Sequence, residues 1–351
     1  MSDEADTDSG PSSNQDADRT ARLLGVPLDL GANRRGVDMG PSAIRYADVA
    51  AELAAAGVDC IDDGDLEVPR LETSSPAPAS GVNDSDSNTN TNSNSNTNTN
   101  TNSNSNSNSN TNAKYLDDIG GVTATLADAV AATVDDDTTP LVLGGDHAVA
   151  MGSMFGSGRG TDNGIGVIWF DAHGDYNTPA TSPSGNVHGM PLAAAHGRGS
   201  FADLDWADTD AVSEENTVLV GIRSLDDEER AALRESEATV FTMREIDERG
   251  ITAVVEDALE IATDGVDGIH VSLDLDWLDP TVVPGVGTPV RGGVNYREAH
   301  AALELVAERD READILRSMD VVEVNPILDR DNQTAEVAAE LAASAFGKRI
   351  L

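Results

Sequence analysis

Along the chain, short continuous apolar runs alternate with longer stretches in which apolar residues recur at helical spacing. Runs at 21–26, 58–61, 141–145, 165–171, 217–221, 238–242, 267–274 and 315–324 read as strands. Helical spacing covers 41–56, 114–133, a stretch from 148, and then 226–235, 251–263, 295–308 and 334–348. Gly40 precedes the first of these helices and Gly57 stops it. The strand runs are apolar without alternation and bounded by turn residues, so they are expected to be buried on both faces. Strand and helix alternating in this way predict an α/β fold with a mostly parallel sheet of about eight strands, covered on both faces.

Two segments break the pattern. Residues 1–18 are polar and acidic, and are expected to form a disordered tail. Residues 71–112 begin with Pro76 and Pro78 and continue as an Asn/Ser/Thr repeat from Asn88 to Asn112. The repeat contains no apolar residue to offset ordering entropy, so it reads as a low-complexity surface insertion. The remaining residues 19–351, about 290 without the insertion, suffice for one large domain.

Composition narrows the partners. The formal charge is −41, with 63 acidic residues against 22 basic ones, and the lysines are Lys114 and Lys348. Such a surface repels nucleic acid and anionic membranes and suits a halophilic cytoplasm, where salt screens self-repulsion. The single cysteine, Cys60, excludes a disulfide framework. No apolar run reaches the length of a membrane span.

Chemistry concentrates where three strands are expected to end. Gly144-Gly145-Asp146-His147 follows one apolar run, and Asp171-Ala172-His173-Gly174-Asp175 the next. The third is Ser272-Leu273-Asp274-Leu275-Asp276. Sites assemble at the carboxyl ends of parallel strands, and residues two apart share a face. Two imidazoles and four carboxylates are enough for two metal ions if two carboxylates bridge. Mostly oxygen donors favour Mn²⁺ over a thiolate-type site, with zinc, cobalt and iron left open by composition. A pair of ions at close range can generate a nucleophilic hydroxide at neutral pH.

These three segments resemble the signature of the ureohydrolase family, which includes arginase, agmatinase and formimidoylglutamase. Arg35 to Pro41, Gly287-Thr288-Pro289 and Met319 to Pro326 resemble further motifs of that family. The resemblance spans nearly all of the chain outside the tail and the insertion. Within the family, Asp175 to Pro179, Ser184 to Gly189 and Gly221 to Asp226 with Glu229 look like the arginase substrate loops. The family implies a three-layer α/β/α sandwich, two Mn²⁺ per subunit, and a homotrimer or homohexamer. It implies hydrolysis of L-arginine to L-ornithine and urea by a metal-bridging hydroxide. Agmatine, guanidinobutyrate or formimidoylglutamate would be the alternative substrates, and a noncatalytic metal-stabilised assembly protein the alternative of another class.

By resemblance, His147 and His173 each bind one ion, Asp171 and Asp274 bridge, and Asp175 and Asp276 complete the two sites. Glu323 would hold the guanidinium and His188 would deliver a proton to the leaving amine. Asn177, Ser184 and Asn186 would receive the α-carboxylate. Asp226 would receive the α-ammonium with support from Glu229, and Thr288 would lie near the hydroxide. The plain reading of Asp226 is a helix cap, and of the loop asparagines and serine, turn formation. His196, His270 and His300 belong to no motif and are expected to be structural.

Overall fold

The computed structural model describes residues 19–32, 34–70 and 112–350. The acidic tail and the body of the Asn/Ser/Thr insertion lie outside them. The chain divides into two units, one formed by residues up to Val68 and from Asn112 onward, the other by Pro69–Thr111. The first unit carries everything described below.

Its frame is a sheet of eight strands: β1 (Thr20–Val26), β2 (Asp59–Asp65), β3 (Thr139–Gly144), β4 (Ile165–Phe170), β5 (Val212–Ile222), β6 (Thr239–Thr242), β7 (Ile269–Asp274) and β8 (Leu316–Val322). The spatial order is β2-β1-β3-β8-β7-β4-β5-β6, and every pairing is parallel. Helices cover both faces. Leu141, Leu143, Ile168 and Phe170 point toward the helices Gly40–Tyr46, Val49–Ala55, Ile251–Ala262, Tyr296–Ala313 and Gln333–Ala345. Val142, Val167, Trp169 and Leu219 point toward Leu116–Asp135, Ala150–Gly158 and Pro191–Ala195. The result is the expected three-layer α/β/α sandwich. Burial on both faces is why β3 and β4 read as unbroken apolar or small-residue runs.

Several boundaries differ from the sequence reading. The helix expected at 41–56 is two helices, broken at Asp48, whose φ of 63° lies in the left-handed region. Aspartate tolerates that conformation, and helical spacing alone does not reveal a one-residue break. Strand β2 runs on to Asp65 although its last residues are acidic. It is an edge strand, and Arg45 pairs with Asp62 and Asp65 at 2.8 and 2.5 Å. A helix at Met243–Arg249, with a Thr242/Glu245 capping box, stands where no element was expected.

Candidate metal centre and substrate cavity

Four neighbouring strands in the middle of the sheet, β3, β8, β7 and β4, deliver the chemistry at their carboxyl ends. The turn after β3 brings His147, the turn after β4 brings Asp171, His173 and Asp175, and β7 ends on Asp274 with Asp276 following. Glu323 is the residue after β8. Asp175 and Glu323 take φ values of 48° and 65°. Left-handed backbone at non-glycine residues is costly and recurs at functional sites. Here it turns the chain directly after β8 at Glu323 and within the loop that follows β4 at Asp175. Gly145 lets the loop after β1 approach, because a Cβ there would lie 1.9 Å from the Leu28 carbonyl oxygen. Asp146 fixes that loop by accepting the Gly31 and Ala32 N–H groups at 2.7 and 3.0 Å.

The six candidate ligands form two adjoining groups. His147 Nδ1 lies 2.9 Å from Asp175, 3.2 Å from Asp171 and 3.2 Å from Asp274. His173 Nδ1 lies 3.0 Å from Asp276 and 3.5 Å from the other oxygen of Asp171. Asp171 therefore faces both imidazoles, while Asp274 groups with His147. His147 Nδ1 is buried with no hydrogen-bond partner of its own. A buried, unpartnered ring nitrogen aimed at three carboxylates is the arrangement a metal ligand needs.

The electrostatics make the same demand. Burial, then Asp276 and Asp171, push the Asp274 carboxyl well above the usual range. Burial opposes charge on both imidazoles, yet the surrounding carboxylates hold His147 well above its ordinary value and push His173 up to about 12. A cluster that calls for this much positive charge fits two divalent cations, whose combined charge matches four carboxylates.

A buried polar seam supports His147. Its ring stacks on Trp169 at 4.1 Å, and its Nε2 meets Ser272 Oγ at 2.8 Å. Ser272 donates to Asp320 at 2.7 Å, and Asp320 meets His270 Nε2 at 3.0 Å. His270 Nδ1 meets Ser318 Oγ at 2.7 Å. The register pairs His270 with Ser318 and Ser272 with Asp320 across β7 and β8. Sequence reading left His270 as structural and assigned no role to Ser272. The signal was present: His270, Ser272 and Asp274 alternate with Ile269, Val271 and Leu273.

The predicted substrate residues share one cavity of about 230 Å³. Asn177, Ser184, Asn186, His188, Asp226, Glu229 and Thr288 line it together with His173, Asp175 and Asp274. Asp226 does cap the helix Asp227–Glu235, accepting the Glu229 N–H at 2.9 Å, while its other oxygen accepts from Asn177 Nδ2 at 2.7 Å. The cap and the cavity wall are thus one carboxylate. Glu229 is buried beneath it and accepts the Tyr176 N–H at 3.0 Å. Thr288 donates to Asp276 at 2.9 Å. Glu323 lies instead on an adjoining cavity of about 400 Å³, which shares Asn186, His188 and Thr288 with the first. Its Oε1 accepts the His147 N–H at 3.1 Å and meets His188 Nδ1 at 2.9 Å. Burial opposes the charge on this His188–Glu323 pair, but each partner favours it in the other, and His188 rises to about 9. Sequence reading did not single out Arg34, which lines the second cavity and donates to the Gly287 carbonyl.

A family model described as the Arginase family matches residues 19–347. The chain is 45% identical to an arginase of Brevibacillus brevis over 94% of its own length and 98% of that protein. It is 43% identical to an arginase of Bacillus subtilis, over 95% and 100%. The solved structure of Bacillus caldovelox arginase matches with a TM-score of 0.79 at 40% identity, over 95% of this chain and 100% of that one.

Proposed function

The chain belongs to the arginase family, and from that premise we propose that it hydrolyses L-arginine to L-ornithine and urea, with two Mn²⁺ per subunit. The observation that carries the reading is one cavity joining the His/Asp cluster to carboxylates and neutral amides suited to an α-amino acid. Two ions, one held by His147, Asp171, Asp175 and Asp274 and the other by His173, Asp171, Asp274 and Asp276, would supply Lewis acidity and an activated water at neutral pH. Oxygen-rich ligation supports manganese as the metal.

The chain's own groups do the rest. Asp226 attracts the α-ammonium with the buried Glu229 in support beneath it, while Asn177, Ser184 and Asn186 receive the α-carboxylate. Both ends fixed, the guanidinium carbon is held over the cluster. Glu323 Oε1 is shared between the His147 N–H and His188, so the guanidinium contact falls to Oε2. That pairing also keeps His188 protonated and oriented to pass a proton to the departing ornithine amine. Thr288 steadies Asp276 by its hydroxyl.

The same proposal takes the enzyme as a cytoplasmic homotrimer or homohexamer of a halophile, a habit supported by its charge of −41. No helix among the described residues is long and apolar enough to cross a membrane.

Urea release from L-arginine, agmatine and guanidinobutyrate, and formamide release from formimidoylglutamate, in Mn²⁺ and high KCl, test the activity. L-Arginine is expected to lead agmatine by a large factor. Sites built around a polar group reject analogues lacking it by up to about 10⁴–10⁵. Asp226→Asn keeps a capping oxygen but removes the charge. It should cost most of kcat/KM for arginine and for agmatine, which keeps the amine, and far less for guanidinobutyrate, which has none, with bound metal unchanged. An equal loss on guanidinobutyrate would refute the ammonium contact of Asp226, and a wild-type preference for agmatine would move the assignment to another ureohydrolase.

A further inference from the structure

We propose that Lys114 is a specificity-determining residue for the substrate α-carboxylate, an inference that rests on the arginine reading above. Its Nζ donates to Asn186 Oδ1 at 2.8 Å. The backbone around it is pinned to the same loop. The Lys114 N–H bonds the Gly185 carbonyl at 2.9 Å, and Asn112 Nδ2 bonds the Ser182 carbonyl at 2.8 Å. Contact is close enough that a Cβ on Gly185, whose φ is +70°, would sit 2.0 Å from the Asn112 carbonyl oxygen. Ser182, Ser184 and Asn186 line the substrate cavity, so Lys114 stands directly behind its wall.

Two effects follow from that position. The first concerns the Asn186 amide. An ammonium only donates, so Oδ1 must face Lys114, and Nδ2 donates to the Ala32 carbonyl at 3.2 Å. Both ends agree, which leaves the second Nδ2 hydrogen as a donor and keeps the amide oxygen away from an incoming anion. The second effect is charge. Asp175, Asp226, Glu229 and Asp274 are on the cavity wall, and no lysine or arginine is among its described lining residues. Once two cations offset Asp175 and Asp274, Asp226 remains a negative charge that an entering carboxylate must meet. Lys114 supplies positive charge one hydrogen bond behind Asn186 and strengthens that amide as a donor.

The test is steady-state kinetics of the Mn²⁺-loaded enzyme on L-arginine and on L-argininamide, which keeps the α-ammonium but lacks the carboxylate. Lys114→Met should raise KM for arginine about ten-fold and weaken L-ornithine binding in calorimetry about as much, with kcat changed far less. Lys114→Arg should recover most of the loss, and argininamide should respond much less. Lys348→Met removes the same charge at the other lysine, which pairs with Glu52, and serves as the control. An unchanged arginine KM in Lys114→Met, an equal rise on argininamide, or an equal effect of Lys348→Met would overturn the role of Lys114. If the wild type prefers agmatine, the arginine reading fails and this role falls with it. If the wild type prefers arginine and Lys114→Met matches it, the role of Lys114 alone is refuted.

Discussion

Asp274 is buried beside Asp171, Asp276 and His147, and burial and like neighbours strongly oppose its charge. Removing it takes one carboxylate from the cation-binding cluster while leaving a small apolar methyl. Asp274→Ala is therefore expected to lose both bound metal and urea release, by at least about 100-fold in activity. Elemental analysis beside an activity assay checks this, and two retained ions with near-normal turnover would refute the bridging role. Glu229 offers a pH test. Burial, followed by Asp175 and Asp226, raises it to about 8, against roughly 4.3 for an unfolded glutamate. Between those values the folded protein binds the extra proton, so this group makes stability fall as pH rises from about 5 to 8. In chelator-treated protein, Glu229→Gln should be more stable than wild type by about 3–5 kcal/mol at pH 8, and by only about 1 kcal/mol at pH 5. Denaturant melts at both pH values decide it; a constant difference would mean that Glu229 is charged throughout.

At the scale of elements, the informative pair is β7 and β8. A strand with one polar face should be half-exposed, yet both faces of β7 are buried. The polar face is satisfied sideways, by Ser318 and Asp320 of β8, and ends on the His147 ring. Groups behind a metal-bound imidazole fix its orientation, and their loss typically costs about 10–100-fold in metal affinity. Ser272→Ala should show that loss in Mn²⁺ titration calorimetry while keeping its far-UV spectrum. Affinity within two-fold of wild type would make the seam a packing device only. The sequence reading found each strand here but not the seam. Strand register decides which side chains meet, and no local pattern encodes register between segments so distant along the chain.

For the whole molecule, charge dominates. A formal −41 self-repels in dilute buffer, whereas at about 1 M salt the screening length shrinks to about 3 Å. The enzyme is expected to lose thermal stability steadily as KCl is lowered toward millimolar levels, with activity following. A melting curve that is unchanged in dilute buffer would exclude salt dependence.

The sequence by itself determined the strand–helix alternation, the parallel sheet and the three segments that carry His147, His173 and their aspartates. It did so because burial on both faces forces unbroken apolar runs, and the ligands cluster in the short segments that follow those runs. The strand geometry itself does not continue through them, since Asp175 is left-handed and Asp276 lies in a 3-10 turn. What only the tertiary structure decided was who stands beside whom. It split the helix at Asp48 and made Asp226 a cap and a cavity wall at once. It put Glu323 on the cavity next to the predicted one, and it set Lys114 behind Asn186. Each of these depends on a single backbone dihedral or on segments brought together from far apart, and short-range patterns of apolar and polar residues carry neither.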